Sequence, residues 1–170
     1  MRVRRGLLFA PLAAAFTAAI SGCGFRLRQA PDFAFASVYL NAAATSPLAA
    51  ELRRNLLSID TVKLLTGTQP RESADVVLDL REEARQKVVV GQSASGQVRE
   101  FQLRSRITFA LATPQGRQLI PPTELVQQRD ISFNESAVLA KEAEEALLFR
   151  DMQTDLVQQL IRRLAAVKAL

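Results

Sequence analysis

The chain has no histidine and no tryptophan, one tyrosine, Tyr39, and one cysteine, Cys23, in 170 residues. Without histidine there is no imidazole base for a Ser-His-Asp or Cys-His nucleophile, and no histidine-ligated metal centre. A lone cysteine builds neither an intrachain disulfide nor a redox dithiol, so packing must carry the stability in any redox compartment. Glycine and proline are sparse, seven of each. Neither occurs in residues 75–90 or 139–167, which leaves both stretches free to run as long elements. No internal repeat or low-complexity tract is visible.

The longest uncharged run stands at the start. Arg2, Arg4 and Arg5 precede residues 6–20, which carry no charge, and Ser21-Gly22-Cys23 follows. The arginines hold the cytoplasmic side, and the run enters the membrane but is too short to remain as a span. Ser21 and Gly22 are small enough to pass a peptidase cleft, and the Cys23 thiol is placed to take a diacylglyceryl thioether before cleavage in front of it. Acylation of the new amino group would complete an anchor that one chain alone could not provide. A buried structural cysteine is the plainer alternative; its position behind two small residues, at the end of the apolar run, argues for lipidation. By resemblance to lipoprotein sorting rules in enteric bacteria, Gly24 in place of an aspartate points to the outer membrane. Residues 1–22 are therefore expected as a cleaved lipoprotein signal, 23–32 as a lipidated tether with a first short strand at 25–28, and 33–170 as one domain.

Removing the signal changes the charge balance. The whole chain has 22 basic and 17 acidic residues; the remaining 148 carry a net charge of +2, because three arginines and no acid leave with the signal. The pI near 10.1 thus overstates the case for nucleic acid, and export argues against it. The only non-protein group expected is the covalent lipid on Cys23.

The mature part reads as α+β. Residues 33–40 form a first secure strand, with Phe33, Phe35 and either Val38 or Leu40 turned to the core. Ser46 is an N-cap with Pro47 at the first helical position, and Leu48, Leu52, Leu56 and Ile59 make one apolar stripe. Residues 61–66 return as a strand beside the first, through a parallel crossover. Residues 75–90 follow with Val76, Leu78, Leu80, Ala84, Val88 and Val90 on one face. A glycine- and serine-rich reversal leads to residues 97–112, with Phe101, Leu103, Ile107, Phe109 and Leu111 inward. After Pro121-Pro122, residues 123–133 form a last strand, Leu125, Ile131 and Phe133 inward. Asn134 or Ser136 caps a final helix over 139–167, whose stripe is Phe149, Met152, Leu156, Leu160, Leu164 and Val167. Arg81, Glu82, Glu83, Arg85, Gln86 and Lys87 face Arg99, Glu100 and Arg104 as cross-strand pairs, or project with the sheet end into a polar surrounding or a partner.

The segment Gly22-Cys23-Gly24-Phe25-Arg26-Leu27-Arg28 resembles the start of mature LptE-family lipoproteins, which assemble lipopolysaccharide. Pro47-Leu48, Gly96-Gln97, Phe101-Gln102, Leu139-Ala140-Lys141, Asp151-Met152 and the run from Gln159 to Leu164 extend that resemblance along nearly all of residues 22–164. It implies two helices on one face of a mixed, mainly antiparallel four-stranded sheet with long projecting strands, held inside a large outer-membrane β-barrel in a one-to-one complex. It further implies no catalysis, a plug and assembly role, and help in passing lipopolysaccharide to the outer leaflet. By the same resemblance Lys141 matches a lipopolysaccharide-contacting base. A second such base matches only Ala94, so Arg99, or Arg104 and Arg106, would take over that role. A polar barrel lumen would also suit the polar distal meander.

Two other functions are weighed beside this one. A free, periplasm-facing lipid-binding or adaptor lipoprotein would need a closed apolar cavity between sheet and helices. An envelope hydrolase would need two of Asp79, Glu82, Glu83, Asp130 and Glu135 on facing walls of a cleft, and nothing in their spacing places them so.

Overall fold

The computed structural model describes residues 31–67 and 69–170. The signal, the Cys23 lipidation site and the strand expected at residues 25–28 lie outside the described residues. Pro31–Leu170 forms one compact unit. It contains strands β1 (Ser37–Asn41), β2 (Lys63–Leu65), β3 (Val76–Gln92), β4 (Val98–Ala112) and β5 (Gln118–Ser132), with helices α1 (Pro47–Leu57) and α2 (Val138–Ala165). The sheet order is β2-β1-β3-β4-β5. β1 runs parallel to both β2 and β3, while β3, β4 and β5 are antiparallel. The architecture is α+β as expected, with five strands among the described residues where the resemblance implies four. The additional one is the three-residue β2.

β1 begins later than residue 33, because Phe33 and Phe35 pack on each other as a loop, with ring centroids 5.1 Å apart. Phe35 is buried, as are both Val38 and Leu40. The entry is pinned by Asp75, whose carboxylate accepts from the Ala36 and Ser37 amides at 2.9 Å each; the Asp75 amide donates back to Ser37 Oγ at 2.9 Å. α1 is capped as its sequence predicts, Ser46 Oγ accepting from the Ala49 amide at 2.9 Å with Pro47 at the helix start. Its Leu48, Leu52 and Leu56 are fully buried beneath Leu156, Leu160 and Leu164 of α2 and against Val38, Leu78, Ile107 and Phe109 of the sheet. Burying such side chains contributes ~1.5–3 kcal/mol each, which is why the leucine stripes decide where both helices lie.

Three further features differ from the periodicity reading. β5 begins at Gln118 and runs through Pro121 and Pro122. It lies at the edge of the sheet, where a missing N–H is tolerated, and the ladder shifts register there to accommodate the prolines. Asn134 caps a short 3-10 turn, accepting from the Ser136 amide at 3.0 Å, while α2 starts at Val138 without a side-chain cap.

The third difference reorganises the distal sheet. Leu80 pairs with Phe109 but Glu82 with Thr108, so Arg81 is an extra residue in β3. A bulge of one residue exchanges the two faces of everything beyond it. Val76 and Leu78 point to the helices, but past the bulge Glu83, Arg85 and Lys87 do, in register with Ile107, Ser105 and Leu103. The expected inward placement of Ala84, Val88 and Val90 is therefore corrected: Ala84 stands opposite Arg106 on the outer face, and the two valines are 39% and 48% exposed. The turn at the end of β3 closes on Gly96 at φ +82°, whose amide donates to the Ser93 carbonyl at 2.9 Å.

Candidate functional site

The bulge puts charge under the helices, and α2 answers it. Arg85 donates to Gln153 Oε1 at 2.7 Å, and Gln153, buried itself, donates from Nε2 to Glu51 of α1 at 2.6 Å. Thr154 Oγ1 joins the same carboxylate at 2.8 Å. This seam links β3, α1 and α2, and it divides the interior. The main core lies on the side where β1 and β3 begin. A smaller one, Leu103, Ile131 and Met152 with Phe101, Leu148 and Phe149 against them, lies toward the hairpin tip.

Above the smaller core, the first turns of α2, the start of β4 and the end of β5 enclose a cleft of about 230 Å³. Its floor is apolar, built from Phe101, Ile131, Phe133 and Val138. Phe101 and Phe133 meet edge to face at 5.2 Å. Two ammonium groups stand at its walls. Lys87 Nζ lies 4.3 Å from the Phe101 ring centroid and 2.6 Å from Glu145 Oε2. Lys141 Nζ donates to Ser132 Oγ at 3.0 Å and to Glu144 Oε2 at 2.9 Å. Both lysine side chains are partly exposed, at 35% and 22%. Lys87, Glu142 and Glu145 also line a broader groove of about 670 Å³ that continues between Pro47, Arg85, Phe149 and Gln153. Neither space is a closed apolar cavity.

Ion pairs this exposed contribute ~0–1 kcal/mol, so their carboxylates are replaceable by a stronger anion. Phosphate, with more charge and three acceptor oxygens, would make charge-assisted hydrogen bonds to an ammonium. Chemically, then, the cleft suits an amphiphile with its charge beside its first apolar carbons.

The basic residues expected from the sequence do not gather at one place. Lys141 is in the cleft. Arg99 is exposed beside the hairpin tip, its guanidinium 3.4 Å from Gln97 Oε1, and its carbonyl accepts from the Phe133 amide at 2.7 Å. Arg104 and Arg106 lie on the sheet face away from the helices. Arg104 Nε donates to Gln102 at 2.7 Å, and Arg106 sits between Glu82 at 2.8 Å and Glu124 at 3.7 Å. The cation that joins Lys141 is Lys87, which the sequence marks only as one charge in a polar run. An uninterrupted period of two puts Lys87 on the wrong face; only the bulge at Arg81 brings it to α2. The expected pairing of the β3 charges across neighbouring strands holds for Glu82, which meets Arg106, but not for Arg85 and Lys87, which bond to α2, while Arg104 stands opposite Gln86 and Gln128.

Among the described residues, no three histidine, cysteine or carboxylate groups gather as a metal site, and no helix is long and apolar enough to cross a membrane. The class this architecture defines is a small α+β domain with an amphipathic cleft at its projecting end. Residues 35–164 match the LptE family, described as lipopolysaccharide-assembly, and the chain belongs to that family. Three solved lipoproteins share the fold. The solution structure of an uncharacterized lipoprotein B from Nitrosomonas europaea is 32% identical at a TM-score of 0.72, covering 84% of this chain and 91% of that one. A rare lipoprotein B from Shewanella oneidensis is 21% identical, TM-score 0.65, with 76% and 94% covered. A minor lipoprotein from Acinetobacter baumannii is 21% identical, TM-score 0.61, with 79% and 94% covered. The chain is thus a member of an outer-membrane lipoprotein family tied to lipopolysaccharide assembly.

Proposed function

We propose that this protein is the lipid-anchored small subunit of the outer-membrane lipopolysaccharide translocon. Acyl chains on Cys23 hold it at the periplasmic side of the membrane. Its folded domain, beginning at residue 33 after a tether of residues 23–32, enters the lumen of a large β-barrel partner one to one. There it plugs the barrel, helps it assemble and assists the passage of lipopolysaccharide to the outer leaflet.

Membership in the family supports the coarse role. The single observation that carries the finer one is the pairing of Lys141 with Lys87 over a phenylalanine floor at the projecting end. Phosphates of the lipid would displace Glu144 and Glu145 from the two ammonium groups, and the first acyl carbons would rest on Phe101 and Phe133. Arg99 would meet the same headgroup from the hairpin. Arg104 and Arg106 look out from the other face and would contact the lipid only along a separate path over the open sheet.

Lys141→Asp, made in the intact complex, is expected to weaken lipopolysaccharide binding about tenfold, the size of one lost charge-assisted hydrogen bond, and to leave barrel association unchanged. Binding of labelled lipopolysaccharide and co-purification of the barrel, measured on the same preparation, read the two effects separately. Equal losses in both would mean that Lys141 is structural and would overturn its assignment as a lipid contact.

A further inference from the structure

A second basic surface lies at the opposite end of the domain. Here β3 begins, β4 ends, β5 begins and α2 finishes, and a groove of about 520 Å³ opens between the β4–β5 turn and the end of α2. Arg117 stands on the strand side of it, Arg163 and Lys168 on the helix side. Leu119, Ile120 and Val167 form its apolar wall. All three cations are exposed, and none forms an ion pair with another described residue. The nearest acid along α2, Asp155, is held by Arg129 at 2.7 Å.

Cations at a helix C-terminus favour the helix dipole, and that accounts for Arg162 and Arg163. It does not account for Arg117, which comes from a different element and faces Arg163 across a groove whose lining holds no aspartate or glutamate and, against three cations, only the terminal carboxylate of Leu170. Like charges brought together from separate elements repel, and an anion between them removes the repulsion.

The chain's path says which anion. β1 runs parallel to β3, so Ser37 and the residues before it emerge at this same end, about three strand spacings or ~14 Å across the sheet from β5. Cys23 lies eight residues upstream of Pro31, no more than ~28 Å of extended chain. Arg26 and Arg28 fall within that stretch. An acylated Cys23 would therefore hold this end of the domain within reach of a membrane surface.

We propose that the groove lined by Arg117, Arg163 and Lys168 docks on anionic phospholipid headgroups of the membrane that holds the anchor, fixing the tilt of the domain while the cleft with Lys87 and Lys141 points away. This surface is separate from the lipopolysaccharide cleft. A cation near an anionic surface raises membrane partition about fivefold, so three together orient a domain already tethered.

The test uses the lipoprotein purified from membranes and reconstituted into vesicles. A single cysteine introduced by Gln115→Cys, in the exposed turn beside Arg117, carries a fluorophore; the vesicles contain headgroup-labelled quencher in either neutral phosphatidylcholine or a mixture with about one third phosphatidylglycerol. Expected is quenching several-fold stronger in the anionic vesicles, abolished by about 0.5 M salt, whose Debye length is only a few ångströms. A label at Ser95, on the far hairpin, should show no such difference. Arg117→Glu with Lys168→Glu should abolish it at Gln115→Cys. The salt comparison on the otherwise unaltered surface decides the matter even if the charge-reversed variant fails to fold. Equal quenching in both vesicle types, or none in either, overturns the proposal. Failure of the anchor itself would instead be seen as failure to incorporate into both.

Discussion

Inserting one alanine between Glu83 and Ala84 is expected to cost about 2–4 kcal/mol of folding stability and to remove Lys87 from the cleft, whereas deleting Arg81 should leave Lys87 in place. Leu80 already stands opposite Phe109 and Glu82 opposite Thr108, so without Arg81 the ladder closes with Glu83, Arg85 and Lys87 on the same face as before. The inserted residue acts differently: Val76 and Leu78 keep the start of β3 in register because they are fully buried, and the distal residues change face. Arg85 then loses Gln153, Lys87 loses both Glu145 and the Phe101 ring, and Val88 and Val90 turn toward α2. Urea unfolding of the two variants, followed by lipopolysaccharide binding, checks both parts. If the insertion and the deletion behave alike, the register of distal β3 does not organise the site.

A second change acts on the anchor and leaves the fold alone. Cys23→Ala should eliminate palmitate incorporation entirely and leave the protein as an uncleaved or mislocalised precursor, since the thioether has no other thiol to form on. Acyl anchoring is worth ~0.8 kcal/mol per buried CH2, so its loss removes nearly all of the membrane affinity expected of the mature chain. The unfolding transition of the domain should stay where it is, because the core is built from residues 35–164. Metabolic labelling reads the first effect and thermal unfolding the second. Label retained on the variant would refute Cys23 as the acceptor.

Where leucines recur at helical spacing, the sequence is sufficient to place the element. Leu48, Leu52 and Leu56 and the α2 stripe from Met152 to Leu164 are all fully buried, because a wide apolar face has one low-energy place to go. Phe109, Leu111, Leu125 and Ile131 follow period two for the same reason. The distal half of β3 was beyond such a reading. After Leu80 neither parity is apolar until three valines stand in a row, so nothing in residues 81–90 records which face is inward, and one inserted residue decides it. Lys141 was legible through family resemblance; Lys87 was not, since its role depends on a register change with no glycine to announce it. Pro121 and Pro122 look like strand breakers until β5 is known to lie at an edge.

The central claim is a complex, and one purification tests it most directly. The C-terminally tagged protein is extracted from outer membranes in mild detergent, captured, and the co-eluting protein and lipid are identified and weighed by mass analysis. A large β-barrel in one-to-one ratio, with lipopolysaccharide, is the predicted result. The lipoprotein emerging alone under conditions that keep other outer-membrane complexes intact would contradict the account.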